Sequence, residues 1–492
     1  SEGRPFVVLG EVVAGAAVAK SFGLEVGGTI RSDTQNLYNI AGAYPMILKV
    51  VGILEPANSP DDHAFFTMVQ TSWMLDGIIH GHEQVDKKNV CGQTKDSLAH
   101  LIMARSYDSF DRVACLDASG QSSPVSWGQL FARALKIIDL CSESGLQRGD
   151  RLVHLGAHSI DWIAVDLACL LAGFVHVALH AEAKPEEWID QCGWLLPKGI
   201  IVSSDVTIPA LLNVDVTVRL PNEYFSPRLI ERTRIQNEIE ENIRQCDPDA
   251  PAVIFLSSGT TGLSKGIIHS QRALAANAKA SSEVFLDEPN DVRLSWLPMS
   301  HALARVGDLY TSLVRGSCLS VVKNRKHFLD ACHASSPTVI LGVPVLFERL
   351  EREYVYGKIP DLRTALGGRV RVCVSGGAPL RKRTAECFLR SGIPLVEGYG
   401  LAEAGPVVAL SNPRLNRPGA VGRPLSGVAV RIDKRSDSSG QLLVQTQSQA
   451  LAVIESTNTG PREKVVPKGT WLETGDFAAL AADGQLQITG RL

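Results

Sequence analysis

The sequence predicts an α/β protein, with a large domain of layered α/β subdomains closed by a small β subdomain, and a small α/β domain in front of it. Three observations carry that prediction. From about residue 98 to 410, apolar helical patterns alternate with short β-rich runs such as Arg151 to Leu155, Gly199 to Val202, Ala252 to Leu256 and Val370 to Val374. Over 411–492 the helices give way to strands, at Val428 to Ile432, Gln441 to Val444 and Gln485 to Thr489. A polar linker, 91–97, containing Gly92-Gln93-Thr94-Lys95, sets residues 1–90 apart from the rest. A chain of 492 residues exceeds what one ordinary core organises, so more than one compact unit is expected.

Within residues 1–90, Val12, Val13, Ala16 and Ala17, with Lys20 outside, predict an amphipathic helix. Gly27-Gly28 then breaks the pattern, Ile47 to Leu54 reads as a strand, and Pro56 to Asp61 as a turn. Phe6 to Ala19 loosely imitates a secretory leader, but Glu11 interrupts its apolar stretch. In the larger region the longest apolar run, Ile163 to Leu179, is broken by Asp166 and His176. It therefore predicts a buried helix running into a strand rather than a membrane span.

Composition excludes several classes. Hydrophobic residues make up 45% and charged residues 21%, which is enough apolar material for packed cores. The net charge of −3, with no Lys/Arg-rich run, argues against a nucleic-acid partner. Ten cysteines, all beyond residue 90, show no metal-ligand or redox spacing and read as reduced thiols of a cytoplasmic protein.

The strongest local signal for chemistry is the run from Ile254 to Gly266. A β-rich stretch enters a loop of hydroxyl residues and glycines, Ser257-Ser258-Gly259-Thr260-Thr261-Gly262, and ends in Lys265. Polyphosphate binding needs those parts: backbone N–H groups free to approach closely, hydroxyl donors and a point charge. It is not a Walker loop, in which Gly precedes and Ser or Thr follows the lysine. Further along, Tyr399 offers a flat face to a purine between Gly398 and Gly400, unless it is a core tyrosine. Glu403 is a hard oxygen ligand suited to Mg²⁺, and Asp476, after Thr474-Gly475, can accept two hydrogen bonds from a vicinal diol. His301, among apolar residues, either touches substrate or is only packed.

The phosphate-binding run resembles the signature of the adenylate-forming superfamily, which includes acyl-CoA synthetases, firefly luciferases and the adenylation domains of peptide synthetases. Four more matches follow in the family's order. Leu294 to His301, continuing through Arg305 to Tyr310, is similar to the stretch lining the acyl pocket in long-chain members. Val374-Ser375-Gly376-Gly377-Ala378-Pro379-Leu380 resembles the adenine-side loop. Glu397 to Glu403 resembles the segment that stacks on adenine and holds magnesium. Trp471 to Asp476, with Gly490-Arg491, resembles the ribose-binding turn and the hinge entry. The resemblance spans roughly residues 95 to 492.

It implies ATP-dependent conversion of a carboxylic acid, as in long-chain members a fatty acid, to its acyl-AMP, with transfer to coenzyme A. Thr260, Lys265 and Glu403 would be catalytic, with Glu403 holding Mg²⁺. Ser257, Ser258, Gly259, Thr261, Gly262, Gly376, Gly377, Ala378, Glu397, Gly398, Tyr399, Gly400, Asp476 and Arg491 would hold nucleotide, and His301 would meet the acid. A lipid substrate would bring peripheral membrane contact. Separately, Val8-Leu9-Gly10-Glu11, Gly27-Gly28-Thr29-Ile30, Leu48 to Leu54 and Ser59 to Asp62 resemble the extracytoplasmic domain of macrolide-exporter-type ABC permeases.

Two departures matter. Ala402 stands where the family usually has Thr, removing a hydroxyl that would bond phosphate. The sequence also stops just after Gly490-Arg491, where the family continues into a small C-terminal domain carrying a lysine for adenylation, so activity impaired by that domain's absence is expected. Alternatives are transfer to a carrier protein, a non-catalytic nucleotide- and acyl-binding module, or a function resting on residues 1–90.

Overall fold

The computed structural model describes residues 2–3, 11–31, 47–56, 65–67, 97–120, 122–203, 206, 214–220, 231–258, 264–434, 440–457 and 460–491. The chain divides into two compact units, Ser1–Lys95 and Asp96–Leu492.

Among its described residues the first unit has a five-stranded mixed sheet and one short helix. Val12 and Val13 do not join the predicted helix. They lie in the strand Glu11–Ala14, parallel to Ile47–Ile53, and the helix is confined to Ala16–Phe22. The reason is burial on both faces, since all four residues of that strand are buried and Val12 packs with Leu48 and Val50. A four-residue apolar run is ambiguous between helix and strand until its partner is known.

The second unit has three sheets. An eight-stranded sheet runs in the order Val216–Arg219, Gly199–Val202, Arg151–Leu155, Val175–Ala178, Pro251–Ser258, Ser264–Ser270, Ala452–Thr457, Gly460–Val465. A nine-stranded sheet carries, from its centre to one edge, Val339–Gly342, Val372–Ser375, Leu395–Gly400, Val407–Leu410 and Arg423–Pro424. Its parallel strands, such as Val339–Gly342 and Val372–Ser375, are buried throughout, which is why they read as unbroken apolar runs. A four-stranded sheet, Val428–Lys434, Gly440–Thr446, Leu472–Leu480 and Leu486–Arg491, is antiparallel.

The apolar run around Asp166 is the helix Ile160–Ala172 followed by the strand Val175–Ala178. Ser159 caps that helix by accepting from the Trp162 N–H, and Gly173, at φ 73°, ends it in the left-handed region. Among the described residues no helix is long and apolar enough to cross a membrane, and the nine described cysteines are free thiols.

Candidate nucleotide and acid site

The run expected to bind phosphate lies on two paired strands. Pro251–Ser258 pairs antiparallel with Ser264–Ser270, with Ser258 opposite Ser264. Gly259, Thr260, Thr261, Gly262 and the Ser258 side chain lie outside the described residues. On the returning strand, Lys265 faces Glu455 of the neighbouring strand Ala452–Thr457, and its Nζ stands 3.2 Å from Glu455 Oε1. Glu455 was not foreseen, because only the long-range pairing of two strands puts it there.

The same strand reaches the second half of the site through His269. Its Nε2 lies 2.7 Å from the Ala402 carbonyl oxygen, and because that oxygen only accepts, the ring nitrogen is the donor. Burial holds His269 down to about 4, so at neutral pH the ring is uncharged. The next residue is tied from the other side, with the Ala450 N–H donating to the Glu403 carbonyl at 2.8 Å. The half-buried Glu403 carboxylate makes no ion pair among the described residues. No group of three or more possible metal ligands occurs among the described residues. One free carboxylate nonetheless fits Mg²⁺, which keeps several waters and shares phosphate oxygens rather than sitting in an all-protein cage.

The strand Leu395–Gly400 carries the residues expected to form a purine cradle. A Cβ on Gly398 would meet Leu410 Cδ1 at 2.9 Å, and one on Gly400 would meet the Pro406 carbonyl oxygen at 1.9 Å. Only glycine fits at Gly400, because Leu410 and Pro406 pack against the backbone on either side of Tyr399. Tyr399 donates to Asp476 Oδ2 at 2.7 Å. Burial pushes the phenol well above its ordinary range, and the carboxylate it bonds adds to that. Asp476 takes its position from its own turn: its N–H donates to Thr474 Oγ1 at 3.1 Å, and that hydroxyl donates to the Leu442 carbonyl at 2.9 Å. Arg491 pairs with Asp476 in register across the sheet, its Nε 3.8 Å from Asp476 Oδ1.

Glu397 is turned inward. It is buried, accepts from the Gly419 N–H at 3.1 Å, and burial raises its carboxyl above the usual range. Ala378 is exposed at the end of the adenine-side loop.

Beside the cradle lies a cavity of about 170 Å³. Gly376, Gly377, Gly398, Tyr399, Gly400 and Ala402 form one wall. Phe285, Leu303, Leu341, Val374, Val407 and Leu410 form the apolar remainder, joined by Ser281, Ser375 and Gly307. Ala302 and Leu303 reach this wall. His301 does not, and its exposed ring sits edge-on to His180 at 5.6 Å.

Gly307 belongs to a π-helical turn, Arg305–Tyr310, whose six residues are all buried. The turn is anchored by charge. Arg305 pairs with Asp166 and bonds His176, while Asp308 Oδ1 lies 3.5 Å from Arg293 Nε. His176 Nδ1 is also 2.7 Å from Asp166 Oδ1. Burial would raise Asp166, but the Arg305 guanidinium and His176 together outweigh it and hold the carboxyl down to about 2. Asp166 and His176 were visible in the sequence only as interruptions of an apolar run. A charge inside such a run signals a buried partner without naming it.

The chain is 26% identical over 462 residues to Long-chain-fatty-acid–CoA ligase FadD15 of Mycobacterium bovis, covering 81% of this chain and 72% of that one. The structure is similar to that of a long-chain-fatty-acid-CoA ligase, FadD1, from Archaeoglobus fulgidus, with a TM-score of 0.67, 18% identity, and coverage of 81% of this chain and 84% of that one. It is equally similar, at TM-score 0.67 and 17% identity, to the anthranilate CoA ligase AuaEII in complex with anthranoyl-AMP, covering 80% and 77%. The model of the family described as AMP-binding enzyme matches residues 104–451, well over half of the sequence, and this chain belongs to that family.

Proposed function

We propose that this chain activates a carboxylic acid with ATP and passes the acyl group to the thiol of coenzyme A. One observation carries the reading: the glycine-bounded cradle around Tyr399 and the apolar cavity share a wall, so a purine and an apolar acid would lie side by side. A carboxylate oxygen attacks the α-phosphorus of ATP. The bond to the bridging oxygen of the β-phosphate breaks, and pyrophosphate leaves. The thiol then attacks the acyl carbon, AMP leaves, and the thiol proton passes to solvent. No side-chain nucleophile is needed, and the site works by positioning and by neutralising charge.

In this reading Lys265 and the hydroxyls of 257–261 face the phosphates, Asp476 takes the ribose diol, and Tyr399 stacks on adenine. Glu403 would hold Mg²⁺, which supplies charge neutralisation on the phosphate oxygens. The names of relatives such as FadD15 favour an acid with an apolar tail. The test is pyrophosphate–ATP exchange with and without a panel of acids. Acid-dependent exchange is expected, and its absence across the panel would sink the reading.

Ala402 favours a second reading, a module that binds nucleotide and acid without turnover, since no hydroxyl stands where the family has one. Tight AMP binding together with no exchange would select it.

A further inference from the structure

The resemblance along Leu294 to Tyr310 points to long-chain acids, yet the cavity beside Tyr399 measures only about 170 Å³. An apolar cavity of roughly 150 Å³ is known to hold one benzene molecule. At that scale, roughly 25 Å³ per carbon, a palmitoyl tail needs roughly 400 Å³, so more than half of it would have to lie beyond the cavity's open mouth.

The walls have little room to yield. Phe285 is buried at the end of the helix Gln271–Phe285, and Leu341 and Val374 sit on buried parallel strands. A packed interior moves by tenths of an ångström rather than by the width of a chain. Gly307 shows how closely the floor is fitted: a Cβ there would stand 2.7 Å from Leu341 Cδ2. The turn that carries Gly307 is pinned by Arg305 to Asp166, so it cannot swing aside without separating that buried pair.

We infer that the acid activated here is compact, with an apolar part the size of a benzene ring or of about six carbons, and that Phe285, Leu341 and Gly307 set this limit. The inference rests on the acid-activating reading above and narrows it to a substrate class.

The test is calorimetric titration of the chain with AMP and with the hexanoyl, benzoyl and palmitoyl sulfamoyl-adenosines, which mimic acyl-AMP without reacting. Hexanoyl or benzoyl mimics binding at least about tenfold tighter than the palmitoyl mimic is the expected result. Equal or tighter palmitoyl binding overturns the size limit while leaving acid activation standing. AMP binding with no gain from any acyl group also overturns it, since the cavity would then hold no acid. No binding of AMP or of any mimic by the folded chain overturns both readings. Phe285→Ala should narrow the hexanoyl-to-palmitoyl ratio, and Leu341→Ala gives the same comparison if the first variant does not fold. An unchanged ratio in a folded variant removes these residues as the limit.

Discussion

Tyr399 and Asp476, 77 residues apart, meet through a 2.7 Å hydrogen bond from the phenol to the carboxylate. One lies on the nine-stranded sheet and the other on the four-stranded sheet, so the two residues proposed to meet the nucleotide are positioned by each other. Tyr399→Phe leaves the ring and removes the donor. A hydrogen bond to a charged group contributes about 1.5–3 kcal/mol, so AMP affinity should fall roughly ten- to a hundredfold. Asp476→Ala should weaken binding at least as much, and the double variant should lose less than the sum, as titration of all three would show.

Lys265 and Glu455 are 27% and 41% exposed, so solvent screens their pairing and limits it to about 0–1 kcal/mol. Glu455→Gln should therefore leave the melting temperature within a few degrees of the parent. By releasing Lys265 for phosphate it should raise ATP affinity at most about fivefold. Lys265→Met should lower ATP affinity while sparing adenosine, which carries no phosphate.

Ala402→Thr restores a hydroxyl beside the Glu403 loop without disturbing the bond from His269, which uses the backbone oxygen. Acid-dependent pyrophosphate exchange should rise roughly ten- to a hundredfold if that hydroxyl reaches phosphate. An unchanged rate would show that the site has adapted to alanine.

His176 and His269 are both fully buried, and burial is the main force pulling each down to about 4. Unfolded histidines take up protons near 6.5, so between about 6.5 and 4 the unfolded chain binds more protons than the folded one. Stability is retained above that window and lost as pH falls through it, by on the order of 3 kcal/mol for each histidine. Asp166, held at about 2, keeps its contribution through the window and loses it only below the unfolded value near 4. Denaturant midpoints measured across this range should drop with acid, and His269→Gln should make the drop shallower.

Much of the site was legible locally because the relevant signals are short. Hydroxyl residues and glycines between β-rich runs announce a turn, and Pro251–Ser258 pairs antiparallel with Ser264–Ser270 on either side of it. Glycines on both sides of Tyr399 announce a close backbone approach, and at Gly400 that approach is made by the Pro406 carbonyl, which leaves room for no other residue. What was not legible depends on distant partners. Nothing around Glu455 distinguishes it from a surface glutamate, and nothing around Leu341 or Phe285 says that they close a cavity.

By itself the sequence determined the alternation of helices and strands and the turn between Pro251–Ser258 and Ser264–Ser270, because periodicity, glycine and hydroxyl content act within a few residues. Tertiary structure alone decided that Val12 and Val13 pair as a strand. It also decided that Ala452–Thr457 and Gly460–Val465 leave the terminal sheet to extend the one bearing Lys265, and how much room the acid has. The physical reason is common to all three: strand pairing and cavity volume depend on which surfaces are buried together, and residues far apart in the chain contribute those surfaces.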